Sequence, residues 1–286
     1  MQWTNEKPWQ RLGVEIESTL SAREMSVKLQ LDWEVVKTPS QRPKSPANQE
    51  TFRFFKAFVE AGDTRIESIG SLDAGRILWA LAPVNADFTL QATDTMKAYL
   101  LMASRHEDRQ SIEFQFLTVR EACHNMFQVP VKVRSTFTNS FRKPFTTRFP
   151  FLNQNPQKFD ESMTQKAQKY FAAGREAISA FAIDAERLAS HKVDADTVNR
   201  FMSDIFQQEG DDKAEESIKI AIEAMGKAPG HEMETAQMTA WGLLNAVTYT
   251  VDHHLGKNPD IRLRQAWFGA NAKVKKRAFD LALALL

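Results

Sequence analysis

Arg65-Ile-Glu-Ser-Ile-Gly-Ser-Leu-Asp-Ala-Gly-Arg-Ile-Leu-Trp-Ala-Leu-Ala82 decides the fold class. Polar and apolar residues alternate from Arg65 to Gly70, Leu72-Asp-Ala-Gly75 has turn composition, and Arg76 to Ala82 returns as an apolar run. Side chains of a strand point to alternate faces, so alternation, a glycine-bearing turn and a second run read as an antiparallel hairpin. Lys97-Ala-Tyr-Leu-Leu-Met-Ala103 and Ser111-Ile-Glu-Phe-Gln-Phe-Leu117, around the polar turn Ser104 to Gln110, extend the hairpin into a meander. Phe52, Phe54, Phe55 and Phe58 fit either a short helix or a strand, with a strand closed by a turn at Ala61-Gly-Asp63 preferred. Thr118 to Phe127 places Val119, Ala122, Cys123 and Met126 at helical spacing, which predicts a helix covering one face of the meander.

Outward toward the N-terminus, Lys7 to Gly13 reads as an extended segment closed by a glycine turn. Ser21-Ala-Arg-Glu24 has capping-box spacing and predicts a short helix to about Gln30, followed by a strand at Trp33 to Thr38. Pro39 to Asn48, with its prolines and polar residues, reads as an excursion from the core. Toward the C-terminus the chain turns helical after Asp160, a candidate N-cap. Helices are expected over Met163 to Leu188, from Asp194 or Asp196 through Phe206, over Asp211 to Met225, Thr235 to His254, and Ala270 to Leu286. The expected class is α+β: an antiparallel β-meander followed by a covering helix, then a mostly α-helical C-terminal half. The division falls between a β-rich unit, 1–159, and a helical region, 160–286, that can pack on it as one unit.

The chain has 286 residues, 43% hydrophobic and 26% charged, which places it among ordinary globular proteins rather than disordered ones. A single cysteine, Cys123, excludes an intramolecular disulfide and a multi-cysteine zinc site. No stretch approaches the roughly 20 apolar residues that span a bilayer, and the N-terminus lacks a signal-peptide pattern. A soluble, cytoplasmic protein of a bacterial host, without membrane contact, is the expectation.

No phosphate-binding G-x-x-x-x-G-K-[ST] loop, no G-x-G-x-x-G, no G-x-S-x-G and no H-E-x-x-H occurs. Gly70-Ser-Leu-Asp-Ala-Gly75 resembles a glycine loop but sits in a hairpin and opens no helix. Asp252-His253-His254 invites a metal reading, yet adjacent helical residues point about 100° apart, so the blander reading is a packed imidazole pair ending a helix. Trp241, Leu244, Thr248, Val251 and Leu255 recur at helical spacing as core, with Trp267-Phe268 docking on that helix. Cys123 reads as a buried thiol. The acidic run from Asp204 to Glu234 reads as a solvated face. No catalytic residue, cofactor or metal is expected.

Between Glu121 and Asp160 there is no acidic residue. Lys132, Arg134, Arg142, Lys143, Arg148 and Lys158 interleave there with Phe127, Phe137, Phe141, Phe145, Phe149, Phe151 and Phe159. Single-stranded nucleic acid is held by cations along its phosphates and by aromatic faces under its bases. The expected nucleic-acid contacts are Lys132, Arg134, Phe137, Phe141, Arg142, Lys143, Phe145 and Arg148. A second set comes from the basic cluster Lys257, Arg262, Arg264, Lys273, Lys275, Lys276 and Arg277, of which Arg262, Arg264, Lys273 and Lys276 are candidates. The competing reading makes the phenylalanines core and the cations plain surface.

Several stretches resemble the phage/plasmid-like family built on a domain of unknown function: Pro8-Trp-Gln-Arg-Leu-Gly13, Gly70 to Ala82, Tyr99 to Ser104, Val119-Arg-Glu-Ala-Cys-His-Asn125, and Thr239 through Gly269. The segment Trp241-Gly-Leu-Leu-Asn-Ala-Val-Thr248 with Val251-Asp-His-His254 is the most specific. The family's Pro-Trp-His-Gly-Leu-Gly is replaced by Gln10 and Arg11 at its third and fourth positions. The resemblance implies a phage, prophage or plasmid origin and brings no catalytic residues. A second resemblance, in architecture alone, is to single-strand annealing recombinases, which bind DNA in a basic groove and assemble into rings or filaments. The expectation is a phage- or plasmid-type protein that binds or anneals single-stranded DNA without ATP, as a homo-oligomer. The alternatives are a non-enzymatic phage factor engaging a host protein complex, and a metal-dependent enzyme using His253 and His254.

Overall fold

The computed structural model describes residues 3–16, 20–29, 48–105, 111–131, 147–150, 159, 161–207 and 211–286. The strand expected at Trp33 to Thr38, the excursion ahead of Asn48 and the Asp160 cap lie outside them. Eight strands form one antiparallel sheet among the described residues: β1 (Gly13–Glu15), β2 (Ser68–Leu72), β3 (Ile77–Pro83), β4 (Phe88–Leu90), β5 (Asp94–Arg105), β6 (Ser111–Arg120), β7 (Met126–Val129) and β8 (Thr147–Pro150). The order β1-β2-β3-β5-β6-β7 is that of a meander, with β4 added on β5 and β8 on β6. The β2–β3 turn bends through left-handed backbone at Asp73 (φ 58°), Ala74 (φ 54°) and Gly75 (φ 85°), as its composition predicts.

The sheet is buried on both faces, and the strands alternate between two apolar clusters. In β3, Leu78, Ala80 and Ala82 face one cluster while Ile77, Trp79 and Leu81 face the other. The first cluster is roofed by helices. Phe52, Phe55, Phe58 and Val59 fall on one stripe of α2 (Asn48–Ala61), so of the two readings the helix holds and the preferred strand does not. The spacing of its fully buried members, three apart, is the helical one, and Phe54 between them mimicked alternation. In α3 (Glu161–Ser190), Tyr170 and Phe171 lie over the sheet, with the Tyr170 ring 5.0 Å from that of Phe116. Gly174 makes this approach possible, because a Cβ there would sit 2.1 Å from the Phe116 ring.

The helix expected over Thr118 to Phe127 is instead the end of β6, a turn and β7. Val119 and Met126 are cross-strand partners, so the apolar spacing taken for a helical stripe is a hairpin register. His124, with φ 55°, takes the left-handed position that reverses the chain. The helical half follows the sequence reading more closely. The short helix α1 (Ala22–Lys28) carries the reciprocal capping box of Ser21 and Glu24. Asp194 accepts from the Thr197 N–H at 2.8 Å and caps α4 (Ala195–Phe206), and α5 (Asp211–Lys227) follows. No helix among the described residues is long and apolar enough to cross a membrane.

The Trp241 helix starts later than expected, as α6 (Ala240–Tyr249) capped by Thr239, and it ends in a π-turn (Thr250–His254). There the Leu255 N–H reaches back five residues to the Thr250 carbonyl at 3.0 Å. Two helices complete the chain: α7 (Pro259–Phe268), read in the sequence only as a basic cluster, and α8 (Ala270–Leu283). Trp267 does not dock on α6. It crosses to the opposite face of the sheet, 5.3 Å from Trp79 and close to perpendicular to it, and so anchors α7 there.

Candidate functional site

The acid-free stretch that carried the nucleic-acid expectation is tied to the sheet at both ends. Val129 of β7 pairs with Phe116, and Thr147 of β8 pairs with Phe114, on the same strand β6. Strands β7 and β8 therefore form one interrupted edge, and residues 130–146 leave and rejoin it across a single register position. Lys132, Arg134, Phe137, Phe141, Arg142, Lys143 and Phe145 fall between the two strands and outside the described residues. Arg148 lies in β8, opposite Glu113 in register. Two phenylalanines of the stretch are core. Phe127 is buried and stacks on Trp241 at 5.1 Å, and Phe159 meets Phe54 edge-on at 5.8 Å.

The second basic set is divided by its partners. Arg264 lies 3.4 Å from the Asp73 carboxylate, and Asp260, one turn earlier on α7, accepts the Asp73 backbone N–H at 2.9 Å. Together they clamp the β2–β3 turn. Lys276 pairs with Asp280, and Lys273 is exposed. Lys275, counted in the sequence among the surface cations, is buried. Its ammonium bonds the Asp252 carboxylate at 2.8 Å and the Met126 carbonyl at 2.9 Å. Arg262 has no ion pair among the described residues.

A buried polar junction joins the β6–β7 turn to the helices. Arg120 donates to both oxygens of Asp94 at 2.8 and 2.9 Å, with side chains 2% and 0% exposed. Asp94 also accepts from the Thr235 hydroxyl at 2.8 Å and the Trp241 indole at 3.1 Å, and Arg120 donates onward to the Gly230 carbonyl at 2.9 Å. Asn125 donates to the Asn245 carbonyl at 3.0 Å. His253 donates from Nε2 to the Cys123 carbonyl at 3.1 Å, which fixes the neutral tautomer, and burial pushes its pKa down to about 3. Burial pushes the Cys123 thiol up, away from nucleophilic thiolate. These bonds use the functional groups of Asp94, Arg120, Asp252 and Lys275 inside the fold, so the junction is built for rigidity.

Residues 36–277 match the model of the family described as Domain of unknown function (DUF932). The chain belongs to that family. No curated protein and no solved structure matches it. Two of the five stretches that carry the resemblance meet at the junction: Val119 to Asn125 supplies Arg120 and Asn125, and Trp241 to His254 supplies Trp241, Asn245, Asp252 and His253. Asp94 and Lys275 complete it and carried no signal, because a lone carboxylate and a lone lysine look like surface until their partners are known.

Beside the junction a cleft of about 250 Å³ opens between the N-terminal segment, the π-turn and α7. Glu6, Lys7, Arg11, His253, Pro259 and Arg262 are among the residues that line it. The N-terminal segment is fastened by the Tyr249 hydroxyl, which accepts from the Thr4 N–H and donates to its carbonyl, both at 2.8 Å. Trp3 meets the His254 ring edge-on at 5.5 Å. The grouping of Lys7 and Arg11 with Arg262 was not foreseen, since those residues are far apart in sequence.

Proposed function

We propose that this DUF932 member is a phage- or plasmid-type protein that binds single-stranded DNA, anneals it without ATP and works as a homo-oligomer. The observation that carries this reading is the interrupted edge of the sheet. A segment with four cations, three phenylalanines and no carboxylate between residues 130 and 146 is attached to one strand at both ends. Cations neutralise phosphates and release counterions, while aromatic rings stack on bases irrespective of sequence. Phe127 is buried and Phe159 packs against Phe54, and the three phenylalanines within residues 130–146, Phe137, Phe141 and Phe145, are the proposed stacking set. No described group supplies a nucleophile or general base in this reading, and none is required for annealing.

Fluorescence anisotropy of a labelled single-stranded oligonucleotide, titrated at several salt concentrations, tests the reading. Binding that weakens steeply with salt is expected, and loss of affinity in Arg134→Ala/Arg142→Ala/Lys143→Ala. Absence of binding at low salt would remove the proposal. Sizing the protein with and without the oligonucleotide tests the assembly, for which a shift to a larger species is expected.

A further inference from the structure

The groups lining the cleft by the π-turn, considered pair by pair, leave one charge uncompensated. Arg11 is paired with Glu6 at 2.7 Å, Lys7 with Glu15 at 2.8 Å, and Asp252 with Lys275 at 2.8 Å. Arg262 has no carboxylate among the described residues. Its Nη2 reaches only the Gly256 carbonyl, at 3.5 Å, and its Nε is buried without a partner. The guanidinium is half-buried, and burial pushes its pKa down. Its charge also depresses both His253 and His254, after burial. Holding a partly desolvated cation unpaired costs stability, which an anionic ligand would offset.

The local backbone is built around this position. Gly256 has φ 144°, and a Cβ there would come within 2.9 Å of the Arg262 Cβ and 3.0 Å of its Cα. Only glycine lets the turn after the π-segment close against Arg262, and Asn258 then caps α7 by accepting from the Ile261 N–H at 2.8 Å. The volume, about 250 Å³, is of the order that a small ligand needs.

We infer that this cleft is a binding site for a phosphate monoester or free phosphate, with Arg262 as the principal contact and Lys7, which also lines the cleft, as a second. Arginine is the side chain suited to it, since its planar fork bonds two oxygens of a tetrahedral oxyanion at once. His253, neutral and fixed through the Cys123 carbonyl, lines the cleft without adding charge. The inference goes beyond nucleic-acid binding by residues 130–146 and stands without it.

Isothermal titration calorimetry of the full chain at low salt tests it, with inorganic phosphate and adenosine 5′-monophosphate titrated separately. Saturable binding is expected, weakened at least about tenfold in Arg262→Gln, since a charge-assisted pair is worth that much or more. Lys169→Gln, changing an exposed cation on α3, should bind as the unmodified chain does. Equal affinity for the two probes assigns the site to free phosphate, and tighter binding of the nucleotide assigns it to a phosphate monoester. No saturable heat with either probe overturns the inference, as does unchanged affinity in a folded Arg262→Gln. Should Arg262→Gln fail to fold, Lys7→Gln replaces it: weakened binding supports the site, and unchanged binding overturns it.

Discussion

Asp252 and Lys275 face each other at 2.8 Å with neither side chain reaching solvent, and they grip the same residue from two sides. The carboxylate accepts the Met126 N–H at 2.8 Å, and the ammonium donates to the Met126 carbonyl at 2.9 Å. A strand, the π-turn and α8 are thereby held at one backbone position.

Removing one partner leaves the other buried and unpaired. Asp252→Asn or Lys275→Met is expected to destabilise the fold by about 3–5 kcal/mol. Asp252→Leu/Lys275→Met, which removes both charges, should recover much of that loss. Urea unfolding of the three variants checks this; a double variant as unstable as the sum of the single ones would count against it.

His253 makes stability depend on pH in a defined direction. Its folded pKa, pushed to about 3 by burial and then by the charge on His254, lies below the ordinary 6.5. Unfolding takes up a proton between those values, so the contribution is full above about 6.5, is lost as pH falls toward 3, and levels off below. The slope approaches about 1.4 kcal/mol per pH unit. His124 and His254, also lowered by burial, act with the same sign. Melting temperatures from pH 7 to 4 should fall less steeply in His253→Gln than in the unmodified chain.

Gly174 is where α3 meets the sheet, and a methyl group there would sit 2.1 Å from the Phe116 ring. Gly174→Ala should cost about 1–3 kcal/mol through displaced packing, even though alanine is the better helix former. A stabilised Gly174→Ala in thermal unfolding would show that α3 can shift without penalty.

Cations with internal partners should not matter to an oligonucleotide. Arg264→Ala and Lys276→Ala, which release Asp73 and Asp280 respectively, are expected to change affinity by less than about twofold. A large loss in either, measured by anisotropy, would place α7 or α8 in the interface and redirect the search there.

The sheet was legible because its hairpins alternate and its turns carry glycine; the β2–β3 pair falls almost where Arg65 to Ala82 put it. The long helices were legible from their apolar stripes and caps. Two segments misled for one reason: short apolar spacings fit more than one period. Phe52 to Phe58 contains both an alternating and a helical subset, and Val119 with Met126 are seven apart by hairpin register. The buried ion pairs were illegible because charge is assigned to the surface by default, and only tertiary contact reveals Arg120 with Asp94 or Lys275 with Asp252.

The split edge of the sheet also separates two kinds of change. Because Val129 and Thr147 are registered independently on β6, the segment joining them can grow, shrink or be exchanged while every hydrogen bond of the sheet keeps its partner. Doubling such a segment's length adds only about 0.6 kcal/mol of closure entropy. Sequence can therefore drift in residues 130–146 while the Arg120 and Lys275 junction stays intact, much as a tool bit is changed without rebuilding the handle.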